Sequence, residues 1–104
     1  IHNDSPIVPP NMMRLLWVST NRLTRSGKVL GPEQRVSVET ALRAITIDAA
    51  YQNFEEDTKG SLRAGKQADM VILSENPLNV DKTQLHKLTV LKTIARGKII
   101  FSAP

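Results

Sequence analysis

The sequence predicts an α+β chain in which helices come first and strands last. Two apolar stripes at helical spacing between residues 38 and 54 carry the first half of that prediction. Three strand-forming runs after residue 67 carry the second. The composition suits such a fold: 40% hydrophobic, 23% charged, with neither Gly nor Pro in excess. One hundred and four residues hold one small domain or a piece of a larger one, and a core of that size gives modest stability.

The elements follow in chain order. Pro6, Pro9 and Pro10 keep the opening extended. Asn11 then caps a helix through about Thr20, with Leu15, Leu16 and Trp17 as its apolar bulk. Residues 21–31 are polar and basic, and Gly31-Pro32 closes them as a connector. Ser37 caps the next helix, whose stripe is Val38, Ala41, Leu42 and Ile45. Thr46 is the expected cap of a third helix, with Ile47, Ala50, Tyr51 and Phe54 on one face. The acidic run Glu55-Glu56-Asp57 is its exposed exit, and a seam falls near residues 55–60.

Residues 68–73 (Ala-Asp-Met-Val-Ile-Leu) read as a strand buried on both faces, ended by Asn76-Pro77. Asp81 to His86 makes one short helical turn. Thr89–Ala95 and Ile99–Phe101 form a hairpin about Arg96-Gly97-Lys98. No repeat and no low-complexity tract interrupts the chain.

Composition also excludes function classes. No stretch approaches the roughly 20 apolar residues of a membrane span. The absence of cysteine rules out disulfides and thiolate metal sites and suits a reducing, cytoplasmic compartment. The net charge of +4 and a pI near 9.8 suggest nucleic acid at first sight. The fourteen Lys and Arg are scattered, however, and one Trp, one Tyr and two Phe are too few for a base-stacking platform. The basic balance is solvated surface, so neither a nucleic acid nor a membrane is an expected partner.

Two stretches resemble a known family. Gly60-Ser61-Leu62-Arg63-Ala64-Gly65-Lys66-Gln67-Ala68-Asp69-Met70-Val71-Ile72-Leu73 is similar to the glycine-lysine-alanine-aspartate segment near the C-terminus of amidohydrolase-superfamily enzymes. Upstream, Ala41-Leu42-Arg43-Ala44-Ile45-Thr46-Ile47-Asp48-Ala49-Ala50 resembles the helix that precedes it, in the same order and at the same spacing. With Leu30-Gly31-Pro32-Glu33-Gln34-Arg35 and the opening His2-Asn3-Asp4-Ser5-Pro6, the likeness is to the YtcJ-type subgroup, which includes deformylases of N-substituted formamides. Read from its residues alone, the 60–73 segment is a fold signature: Gly60 and Gly65 suit turns, and no side chain in it is poised for chemistry.

The resemblance implies a fold of two parts. Residues 1–57 correspond to the last strand and closing helices of a (β/α)₈ TIM barrel, and residues 58–104 to the C-terminal strands of a small composite β-sandwich. It implies a hydrolase for carbon–nitrogen bonds of small, non-peptide amides, working through water activated by one or two divalent metals, zinc first among them. It places Asp4 at the end of the eighth strand as metal ligand and proton-transfer group. His2, on the same side of an extended strand, would orient substrate or hydrogen-bond the carboxylate. The chain opens at Ile1 without an initiator Met, and a barrel takes roughly 250 residues, so these 104 read as a C-terminal fragment. The fragment alone is expected to bind no catalytic metal and to be inactive; its partners are the rest of the parent chain and, through exposed apolar faces, a second copy of itself.

Other candidates are weaker on their residues. A lone His-x-Asp carries little, since Asp4 equally suits a turn before Ser5-Pro6. His86 lies among Lys82 and Lys87 as a solvated side chain, and Glu55-Glu56-Asp57 lacks the spacing of a calcium loop. Met12, Met13 and Trp17 are core material, and Ser5 has no base beside it. The rival to the enzyme reading is a non-catalytic α+β module for structure or oligomerisation.

Overall fold

The computed structural model describes all 104 residues. Three helices precede a three-stranded sheet: α1 (Met12–Asn21), α2 (Val38–Ala44), α3 (Ile47–Gln52), β1 (Met70–Leu73), β2 (Val90–Ala95) and β3 (Lys98–Ser102). The α+β order expected from the stripes is therefore present. No helix is long and apolar enough to cross a membrane.

The caps of α1 and α2 are the anticipated ones. The Arg14 N–H donates to the Asn11 side chain at 3.0 Å, and the Thr40 N–H to Ser37 Oγ at 3.1 Å. The α3 cap differs. Thr46 makes no capping bond; its hydroxyl turns back and donates to the Leu42 carbonyl at 2.7 Å. Such back-bonding to the i−4 carbonyl competes with the cap, and the two helices are joined here almost without a break.

The core gathers where α1, α2 and the 3₁₀ turn Lys82–Lys87 meet. Met13, Leu16, Ala41, Leu85 and Leu88 are its buried members, with Trp17, Val38, Leu42 and Leu73 packed around them. Met12, expected inside with Met13, points to solvent. Polar bonds hold α1 to the 3₁₀ turn beside this core. Buried Asn21 donates through Nδ2 to the Trp17 and Lys82 carbonyls, both at 2.9 Å, and Trp17 Nε1 donates to the Thr83 carbonyl at 3.0 Å. His86 is exposed as expected, with its ring edge-on to Trp17 at 5.1 Å.

The sheet is antiparallel, in the order β1-β2-β3, with Val71 opposite Thr93 and Thr93 opposite Phe101. Arg96 and Gly97 both have positive φ, 50° and 76°, as a two-residue type I′ hairpin turn requires. The turn is one residue tighter than the sequence suggested. The expectation that the 68–73 run is buried on both faces fails in this chain. Val71 is 52% exposed, Ile72 is 44% exposed, and every residue of β3 faces solvent. The strand is apolar enough for two covering layers, but residues 1–104 supply neither in full.

The same deficit runs through the molecule. Its surface is 7656 Å², whereas a self-contained monomer of this mass exposes about 5,800 Å². Its radius of gyration is 14.5 Å, against about 13 Å for a compact chain of this length.

Candidate functional site

Two places merit a functional reading: the opening His2–Asp4 and the 60–73 segment. At the first, the resemblance implies an extended strand with His2 and Asp4 on one side, whereas the residues alone equally suit a turn before Ser5-Pro6. The structure shows a turn. Asp4 has φ 53°, its carbonyl accepts the Ile7 N–H at 2.9 Å, and Ser5 Oγ donates to the Val8 carbonyl at 3.0 Å. Aspartate tolerates the left-handed region better than most residues, and no strand pairs with residues 1–4 to hold them extended. His2 and Asp4 are both exposed.

The resemblance implies a divalent metal at Asp4 only together with ligands that lie outside residues 1–104. A catalytic zinc takes three protein ligands and leaves one position open. No three His, Asp or Glu side chains come together anywhere in the chain. Residues 1–104 therefore do not fit a metal centre of their own.

The second place is built closely. Gly60, at φ 81°, lies so near α3 that a Cβ there would stand 2.8 Å from both Ala50 Cβ and Ile47 Cα. Lys66 reaches back across the seam, its ammonium donating to the Glu56 carbonyl and to the Lys59 carbonyl at 3.1 Å. Asp69 reaches forward. One carboxylate oxygen accepts the Arg96 backbone N–H at 2.8 Å and the other accepts from the Gln67 side chain, while the Gly97 N–H donates to the Ala68 carbonyl at 2.9 Å. The Arg96 N–H, then the Gln67 amide, hold the Asp69 carboxyl below its ordinary range. Lys66 and Asp69 thus join the exit of α3, the entry to β1 and the hairpin turn. They are spent on backbone hydrogen bonds, which agrees with the reading of this segment as a fold signature.

Between α3 and the sheet, the segment also walls a groove of 730 Å³. Ile45, Ala49, Met70, Val71 and Ile94 line it, with Asn53, Lys59 and Arg96 among its polar neighbours. It lies along the seam between the two halves of the chain and does not include His2 or Asp4.

A family model described as the amidohydrolase family matches residues 1–101. The chain belongs to the amidohydrolase family. This amidohydrolase chain is 30% identical over 95 residues to the N-substituted formamide deformylase of Arthrobacter pascens, covering 91% of itself and 18% of that protein. It is 29% identical over 104 residues to the Bacillus subtilis (strain 168) protein named as amidohydrolase YtcJ, covering 95% of itself and 19% of the relative. A human protein named "Probable imidazolonepropionase" is 38% identical over 69 residues, or 64% of this chain and 16% of the relative. The amidohydrolase chain therefore spans less than a fifth of the length of the curated relatives it matches. No solved structure matches it significantly.

Proposed function

We propose that this chain is the C-terminal part of a metal-dependent hydrolase that cleaves carbon–nitrogen bonds in small, non-peptide amides. The observation that carries the reading is the family match along residues 1–101, by a chain under a fifth as long as its relatives. The excess of about 1,900 Å² of surface over a self-contained monomer supports it physically. So does a sheet apolar enough for two covering layers yet bare on much of its surface.

On this reading residues 1–57 close a TIM barrel, and residues 58–104 give β1, β2 and β3 to a small β-sandwich. Paired with a neighbouring barrel strand, Ile1–Asp4 would straighten, because a ladder supplies the hydrogen bonds that the Asp4 turn now replaces. Asp4 then offers one oxygen donor to a divalent ion, zinc by preference, whose other ligands lie outside residues 1–104. The Asp4 carboxylate accepts a proton from the attacking water and returns it to the departing amine. His2, two residues earlier, orients the amide or holds the carboxylate in place. The name of the Arthrobacter pascens relative makes an N-substituted formamide the first substrate class to try.

The test is amine release from an N-substituted formamide by the longer polypeptide that ends in this chain. Asp4→Asn, which keeps size but loses the proton acceptor, should lower kcat at least 10²-fold. Unchanged kcat in that variant would overturn the role of Asp4.

A further inference from the structure

Helix α3 ends in a Schellman motif. The Phe54 N–H donates to the Tyr51 carbonyl and the Glu55 N–H to the Ala50 carbonyl, both at 3.0 Å. The motif needs a left-handed residue at the position after the cap, and that residue is usually glycine. Here it is Phe54, at φ 58°. A bulky side chain is a true outlier in that region, because its Cβ crowds the following carbonyl.

The other three non-glycine residues at positive φ have a local reason for it. Arg22 donates through Nε to the Leu30 carbonyl at 3.0 Å and through its guanidinium to Gln34 at 2.9 Å. Arg96 forms the hairpin turn and gives its N–H to Asp69. Asp4 is of a type that visits this region readily. Phe54 has none of these. Phe54 is 91% exposed, so nothing in residues 1–104 offsets the strain with packing. Glycine there would keep both backbone bonds and remove the crowding. A strained backbone that presents an uncovered aromatic side chain is a ground for a functional reading, and aromatic residues, Phe among them, are enriched at interfaces.

We propose that Phe54 is an anchor seated in an apolar pocket of the remainder of the longer polypeptide, locking the exit of α3 against it. The proposal rests on the reading of this chain as part of a longer amidohydrolase. Two observations favour that occupant. More than four-fifths of the matched relatives' length lies outside this chain. The uncovered excess, about 1,900 Å² on one chain, also exceeds the roughly 800 Å² per partner of a standard interface, so one modest contact would not account for it.

The experiment compares thermal unfolding of Phe54→Gly and Phe54→Leu in this chain alone and in the longer polypeptide, with amine release recorded for the latter. In this chain alone, Phe54→Gly should hold or raise Tm, since it relieves strain and gives up no packing. In the longer polypeptide it should lower Tm by roughly 5 °C or more, with partial rescue by Phe54→Leu. A Tm in the longer polypeptide that ignores both substitutions overturns the anchor, even where hydrolysis is intact. A lowered Tm in a polypeptide that hydrolyses no amide supports the anchor while removing the proposed activity. A dimer of this chain that Phe54→Gly dissociates would overturn the proposal in favour of a second copy.

Discussion

The Asp69 carboxylate accepts the Arg96 backbone N–H at 2.8 Å across 27 residues of sequence, fastening the entry of β1 to the β2–β3 turn. Backbone hydrogen bonds of this kind are strongest when the acceptor is charged. The bond therefore depends on pH.

With the Arg96 N–H as its largest cause, the Asp69 carboxyl is held below its ordinary range, and Asp81 is likewise lowered by the Thr83 N–H and hydroxyl. A depressed carboxyl adds stability that is fully present above the unfolded value, about 3.9, and is lost as pH falls through the lower folded value. Urea midpoints of the wild-type chain should hold from neutral pH to about pH 4 and decline below it. Asp69→Asn should start lower and decline less. Equal declines would show that the Asp69 bonds contribute nothing.

Gly60→Ala should destabilise the chain by about 1–3 kcal/mol, because the added methyl meets Ala50 and α3 backbone while φ stays positive. Gly65→Ala is the control. It also has positive φ, 90°, but nothing lies within 4 Å of its Cβ position, so only the strain remains. A urea series on both variants isolates the contact; equal losses would refute it.

Leu85 is fully buried in the 3₁₀ turn against α1 and α2. Leu85→Ala should cost about 2–5 kcal/mol in denaturant unfolding. Exposed Leu78→Ala should stay within about 0.5 kcal/mol of wild type. If the two variants unfold alike, the core is not where the structure puts it.

What the sequence disclosed follows from how local each signal is. Ser37 and Asn11 cap their own helices within three residues, so both starts were legible. The hairpin was legible from two β-rich runs around Arg96-Gly97. Thr46 was misread because its hydroxyl had two neighbours to choose between, the α3 amides and the Leu42 carbonyl. The 68–73 run and Phe54 show a different limit. Periodicity reports which side chains favour burial, not whether the covering layer belongs to the same chain. The roles of Lys66 and Asp69 were not legible, because their carbonyl and N–H partners come from the tertiary fold and carry no side-chain signature. At the opening, the resemblance pointed to Asp4 on an extended strand, while the residues alone allowed the turn before Ser5-Pro6 that the structure shows.

Zinc content after equilibration with the ion, read by elemental analysis on this chain and on the longer polypeptide side by side, tests the account most directly. A single exposed carboxylate without companion ligands cannot retain zinc through dialysis, so this chain should emerge with none. The longer polypeptide should keep one or two ions and lose at least part of that content in Asp4→Asn. One equivalent of zinc held by this chain alone, or full zinc in the Asp4→Asn polypeptide, would contradict it.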